Sequence, residues 1–388
     1  LRLFLLLPTI AAVAAFAKYP DYYIVLTIIL PMLGFAALVK STRFDASTSP
    51  NRDKDRKMKS PLYFSCAALA ATVLSLGGLT EEVAAQGAPG VAYITSQDGD
   101  ISVLSLDTLA INETIHADGK APRGLGVTSD GKYLVTANRD GGDISVIDLA
   151  TKKVIKHIPI GKNPEFVRVQ GDQAFVSFEP SSEGGPPKKG EKKAEKKDDD
   201  DDLIPAKIAI VDLKKLEVVS EVTSGPETEG IEFTPDGKAM LVTNEADNTV
   251  TVYELPDGKL IKTVDTHKYG DRPRGIKVSP DGTNYVVTLE FGNKVLVLDK
   301  DLEPVKAIST GESPYGISFD RAGKRLFVAA SKAKEIQVFD GKTFEPIKNI
   351  PVKNRCWHFS FSPDDSKIVV ACGRSNNVLV FDSTSYEL

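Results

Sequence analysis

Cysteine, histidine and tryptophan are scarce in this chain, with three, four and one among 388 residues. No Cys/His cluster has zinc-ligand spacing, so a zinc-built fold is excluded and no metal site is expected. A charge excess of one sign is missing too. Lys+Arg 48 against Asp+Glu 53 leaves a net −5, without the basic face that nucleic-acid binding needs. The sequence has no Gly-x-Ser-x-Gly elbow, no phosphate-binding loop and no His-Glu-x-x-His. These absences count against an enzyme and imply no cofactor. Catalysis stays an alternative, because a site assembled from scattered loops leaves no such motif.

What is present is a repeat. The phrase Val-x-Asp-Leu or a near variant recurs at Val146-Ile147-Asp148-Leu149, Val211-Asp212-Leu213, Val252-Tyr253-Glu254-Leu255, Val297-Leu298-Asp299, Val338-Phe339-Asp340 and Val380-Phe381-Asp382. From Asp212 onward the acidic position steps by 42, 45, 41 and 42 residues, after a first step of 64 that contains an insertion. A period near forty with several short strands per unit predicts a β-propeller, one blade per repeat. In residues 271–311 the spacing predicts strands over 274–278, 285–289, 294–298 and 305–309, with a Ser279-Pro280-Asp281-Gly282 turn. The fold class is therefore all-β, a seven-repeat propeller of four-stranded antiparallel blades over 88–388. The first blade has no first strand before Val91 and the last stops after its third. An incomplete closing seam with unpaired strand edges is expected, as in a fragment. A closed ring would favour a monomer.

Residues 184–202 interrupt the third blade with six lysines, Pro186-Pro187 and Asp198 through Asp202. This composition predicts a disordered, solvated loop. Calcium on the aspartates is the alternative, but no loop geometry shapes a site. Ahead of the ring, 58–87 read as a signal peptide. Lys54, Arg56, Lys57 and Lys59 precede an apolar stretch over 62–79, and Val83-Ala84-Ala85 offers a small-residue cleavage site. Residues 1–57 hold two apolar runs, 3–16 and 22–39, expected as helices. They are read either as an over-extended reading frame ahead of Met58 or as a membrane anchor. Contact with a membrane is expected only through this segment, and the location as periplasmic or secreted.

The second strands Tyr133-Leu134-Val135-Thr136-Ala137-Asn138, Met240-Leu241-Val242-Thr243-Asn244 and Tyr285-Val286-Val287-Thr288 resemble those of the YVTN-type (YncE-like) propeller family. The resemblance covers 90–388 and implies the fold, with no catalytic residue carried over. One repeat, Cys356-Trp357-His358-Phe359-Ser360-Phe361-Ser362-Pro363-Asp364, is similar to that of exported propellers associated with quinone (PQQ)-dependent alcohol catabolism.

Residues that break the period are the candidates for function. Aligning the first strands gives one variable column ahead of the usual Gly: Arg123, Glu165, Glu229, Arg274, Tyr315 and Trp357. Such variation on a constant scaffold suits contact with a ligand or partner at the channel mouth. The bland alternative is a rim of paired charges. A second column, Gly126, Arg168, Glu232, Lys277, Ser318 and Ser360, is expected to face the channel, where Arg168, Glu232 and Lys277 can pair. His358 replaces Gly beside Trp357 and is assigned to ligand contact or structure, since no second His or thiolate shares its column. His116, His157 and His267 fall at outer strands, away from the channel. Cys356 and Cys372 are near neighbours across the first hairpin of the last blade. They form either a disulfide, in an oxidising compartment, or two reduced thiols.

The expected function is an exported binding or scaffold propeller, accessory to a periplasmic quinone-dependent dehydrogenase system, that meets a protein partner or small ligand at its mouth. The rivals are a lactonase-like hydrolase using charged residues at the mouth, and a membrane-anchored surface interaction protein.

Overall fold

The computed structural model describes residues 90–97, 99–179 and 204–388. The chain divides into two units, 1–81 and 82–388, and every described residue lies in the second. The N-terminal helices, the signal peptide and the 184–202 insertion all fall outside the described residues. The insertion's flanking strands, Gln173–Phe178 and Lys207–Asp212, pair directly, so it does leave from between the second and third strands of blade three.

Seven antiparallel sheets follow one another along the chain, each a meander. Blade five shows the pattern: Pro273–Val278, Asn284–Leu289, Lys294–Asp299 and Pro304–Ser309. These match the predicted strands to within a residue at each end. Middle strands such as Asn284–Leu289 are buried along nearly their whole length, so they read as continuous apolar runs rather than alternating ones. The cores lie between blades. Val135 and Val146 of blade two pack with Val167 and Val176 of blade three, and the arrangement recurs around the ring.

Blades one and seven have three strands each among the described residues. Among the described residues, blade one shows no inner strand and blade seven no outer one, in line with the repeat register. The two sheets still pack together, with Leu104 and Leu106 against Val369 and beside Val378 and Val380. Among the described residues the one helical segment is a 3-10 turn, Gly373–Ser375, and no helix is long and apolar enough to cross a membrane.

The repeat's acidic residue caps the third-to-fourth-strand turn. Asp212 Oδ1 accepts the amides of Lys214 and Lys215 at 2.9 Å each, and Asp340 accepts those of Lys342 and Thr343 at 2.9 and 2.7 Å. These backbone hydrogen bonds hold both carboxyls below their ordinary range. The residue is periodic because the turn is.

The second-strand Thr is a clip between blades. Thr243 Oγ1 accepts the Gly230 amide at 2.8 Å and donates to the Arg274 carbonyl of the next blade at 2.6 Å. Thr288 accepts from Gly275 at 2.8 Å and donates to the Tyr315 carbonyl at 2.7 Å. Blade two departs from this. The pairing of Pro122 with Asn138 puts Ala137 at the clip position, and Thr136 bonds Asn138 Oδ1 instead, at 3.2 Å.

The adjacent first-strand Gly has a steric reason. A Cβ on Gly230, Gly275 or Gly316 would stand 2.5 Å from the carbonyl oxygen of Arg274, Tyr315 or Trp357 in the following blade. Gly275→Ala is therefore expected to force blades five and six apart and to cost about 1–3 kcal/mol in urea unfolding. An unchanged midpoint would contradict the close approach. His358 occupies the same position in blade seven, which faces blade one. Its ring lies edge-on to Tyr315 and beside Gly316 of blade six.

Candidate functional site

Each rim residue follows the same turn. Two positions ahead of it stand Ala121, Asn163, Glu227, Arg272, Ser313 and Arg355, all with φ between 49° and 59°. None is glycine, so each holds a left-handed backbone that costs of order 1 kcal/mol and survives only where its surroundings impose it. A register shift follows within the inner strand, between Pro273 and Ile276 in blade five and between Pro314 and Ile317 in blade six. The turn and the bulge break the side-chain alternation and turn the intervening residue toward the mouth. Six blades thus present Arg, Glu, Tyr or Trp side chains from one backbone device.

At the mouth, Arg274 is the hub. Its Nε and Nη2 lie 2.8 and 2.7 Å from Glu290 Oε2. Its Nη1 pairs with Glu229 and Glu245 and reaches the Tyr315 hydroxyl at 3.1 Å. The guanidinium also lies over the Tyr315 ring, 4.6 Å from its centre. Tyr315 in turn donates to Glu229 Oε2 at 3.1 Å. Burial alone would weaken the Arg274 charge, but Glu229, Tyr315 and Glu290 hold it firmly protonated. The Tyr315 hydroxyl is pushed well up by burial and by the Glu229 charge. Arg123 pairs with Glu165, whose carboxyl is pushed up by burial and by Glu229, with Arg123 opposing.

His358 lies edge-on to Tyr315, ring centres 5.2 Å apart. The residue is exposed overall, while its ring packs against Tyr315 and lies beside Gly316. Enclosure pushes its imidazole below the ordinary range; Glu229 opposes, and Arg123, Arg274 and Lys277 add to the lowering. Trp357 is placed differently. Its ring stands over Gly373, at the edge of its own blade's 3-10 turn, with the Arg355 guanidinium 5.9 Å from the ring centre. The structure thus gathers Glu229, Arg274, Tyr315 and His358 into one group and Arg123 with Glu165 into an adjacent pair, while Trp357 leans outward.

Alignment of first strands missed half of this site. Glu245 and Glu290, both buried, stand one residue beyond the second strands Ala239–Asn244 and Asn284–Leu289. Arg272 pairs with Glu245, lies 3.6 Å from Glu290 and 3.8 Å from Glu227, and stacks on Phe291 at 4.8 Å. The signal was a second variable column after the second strand: Arg139, Glu179, Glu245, Glu290, Ser331 and Gly373.

Cys356 and Cys372 are joined by a disulfide. They pair across the hairpin where blade two places Pro122 opposite Asn138 and blade five Pro273 opposite Leu289. His116, His157 and His267 lie outside the channel; His116 meets Asp100 at 3.1 Å and His267 meets Asp271 at 2.6 Å. Among the described residues no group of three or more His, Cys, Asp and Glu is placed to hold a metal ion.

A family profile described as the Cytochrome D1 heme domain matches residues 205–343. Two curated proteins, each called Uncharacterized protein YncE, are similar to this chain. The one from Salmonella typhimurium is 24% identical over 197 residues, 48% of each chain. The one from Salmonella typhi is 23% identical over the same share. The chain spans about half the length of these curated relatives. Among solved structures, Kuenenia stuttgartiensis hydrazine synthase superposes with a TM-score of 0.62 at 18% identity, covering 76% of this chain and 93% of that one. A functionally unknown protein from Desulfotomaculum acetoxidans gives 0.64 at 18% identity, covering 77% and 93%. At these identities the structures bear on the fold alone.

The matched profile's description implies a haem, and the residues present do not fit one. The matched span holds one histidine, His267, tied to Asp271 on the surface. Its one methionine, Met240, is fully buried in the core between blades three and four. His358 lies beyond the span, against the Tyr315 ring and the Arg274 hub. With seven sheets in succession and these relatives, the chain is a seven-bladed β-propeller similar in sequence to the YncE proteins.

Proposed function

We propose that this chain is an exported binding propeller. Its channel mouth meets a protein partner or small ligand as an accessory to a periplasmic quinone-dependent dehydrogenase system. One observation carries the reading: a repeated left-handed turn presents one side chain from each of six blades, varying among Arg, Glu, Tyr and Trp. An identical frame with variable tips is what a recognition surface requires. The charged tips are engaged with one another, as with Arg274 and its three carboxylates. Recognition then works through a pre-organised polar surface with aromatic faces, and no unengaged nucleophile is implied. Export is supported by the disulfide, which suits an oxidising compartment. The quinone setting rests on the resemblance of residues 356–364.

Trp357, the one tryptophan of the chain, is next in sequence to His358 of the mouth group and serves as the fluorescence reporter. Pyrroloquinoline quinone and a purified quinone-dependent alcohol dehydrogenase are the probes, each titrated with Trp357 emission and calorimetry as readouts. At least one should give a saturable change, weakened about tenfold or more (~1.4 kcal/mol) by Arg123→Gln. Silence of both readouts with both probes would overturn the proposal.

A further inference from the structure

Three residues of the second inner column meet across three successive blades. Arg168 of blade three donates from Nη2 to Glu232 Oε1 of blade four at 2.7 Å. Lys277 of blade five places Nζ 3.2 Å from Glu232 Oε2. The Phe233 amide also donates to Oε1, at 3.1 Å. Strand alternation explains the meeting. Val167 and Val169 pack into the core shared with blade two, so Arg168 between them takes the opposite face. Ile231 and Phe233 do the same around Glu232, and Ile276 and Val278 around Lys277.

The charges do not balance. Two cations share one carboxylate, and among the described residues neither Arg168 nor Lys277 has another ion pair. Glu232 is nearly closed off, with 4% of its side chain exposed, while Arg168 and Lys277 keep 35% and 25%. Water therefore reaches the cations and not the carboxylate. Burial lowers the Lys277 amine from its ordinary range; Glu232 opposes this and Arg168 adds to it. The matching positions of three other blades, Gly126, Ser318 and Ser360, carry no long side chain, and Ser360 is exposed.

We propose that this level of the channel binds one small oxyanion, a carboxylate or phosphate group, between Arg168 and Lys277. The anion neutralises the surplus charge. It takes up the guanidinium and ammonium N–H donors that Glu232 leaves over, and charge-assisted hydrogen bonds of this kind are the stronger class. Glu232 acts as the buried strut that holds both cations in place before the anion arrives. The site lies deeper than the rim and does not depend on what the mouth recognises.

Calorimetric titration of the purified protein with inorganic phosphate and, separately, with acetate tests this at low chloride. At least one should bind with a stoichiometry near one. Lys277→Gln should weaken it about tenfold or more, ~1.4 kcal/mol, and Lys277→Arg should retain it. Arg168→Gln provides a second charge deletion should Lys277→Gln lose its cooperative unfolding transition. Binding of phosphate alone points to a phosphoryl ligand, and binding of acetate alone to a carboxylate; either supports the site. No heat with either anion, or equal affinity in the folded charge-deletion variant, would overturn it. Neither residue belongs to the rim column, and Arg168→Gln leaves in place the Lys277 charge that acts on His358, so this outcome is separable from that of the Trp357 titration.

Discussion

Arg274→Ala is expected to destabilise the propeller by about 3–5 kcal/mol in urea unfolding, the cost of removing one partner from a buried ion pair. Arg274 serves Glu229, Glu245 and Glu290 together, and its side chain is 11% exposed. Without it, buried carboxylates from two blades face each other with Arg272 as the nearest remaining cation. The variant's carboxyls must then either keep uncompensated charge or take up protons. Protonation relieves a buried carboxylate left without its cation, so the variant is relatively stronger at low pH and loses ground as pH rises. The gap from the parent protein should be wider at pH 8 than at pH 5. Arg274→Lys should recover only part of the loss, since an ammonium cannot reproduce the fork that meets Glu290 through both Nε and Nη2. A loss under about 1 kcal/mol for Arg274→Ala, below the usual range for a buried pair, would mean that water already screens the mouth.

Replacing Cys356 and Cys372 together by Ala is expected to cost about 2–4 kcal/mol, the typical contribution of a disulfide closing a loop of this size. The bridge spans 16 residues and both cysteines are buried. Blade seven has particular need of it. Ala371 and Cys372 stand where blade four has Thr243 and Asn244. Thr243 clips blade four to blade five, while Asn244 donates to Thr249 and Thr251 at 3.0 and 2.9 Å. Blade seven has neither side chain, and its sheet has three strands among the described residues. Unfolding with and without reductant gives the same comparison without mutation. Superimposable curves would show that the blade holds without the bridge.

The fold was legible because propeller blades repeat in sequence what they repeat in space. Asp148, Asp212, Asp340 and Asp382 recur because each caps the same turn. Strand limits in blade five followed from turn residues such as Pro280 and Gly282. The rim column was legible for the opposite reason. Against a constant register, Arg123, Glu165, Glu229, Arg274 and Tyr315 stand out by differing. Their partners were not legible. Glu245 and Glu290 lie just past a strand end, where repeats diverge, and nothing local pairs Arg274 with a residue 45 positions away. The outward lean of Trp357 was hidden as well, because it depends on Gly373 leaving space for the indole.

By itself the sequence determined the repeat unit, the number of blades, the strand order within each and the positions at which blades differ. All of these are local or periodic, set by turn chemistry and apolar spacing within about forty residues. Tertiary structure alone decided which differing residues meet. The ring brings Glu229, Arg274 and Tyr315 together from three blades, and Arg168, Glu232 and Lys277 from three. The physical reason is the angle between successive blades. Side chains one period apart converge only near the axis, where low dielectric and close approach turn separate charges into a shared network.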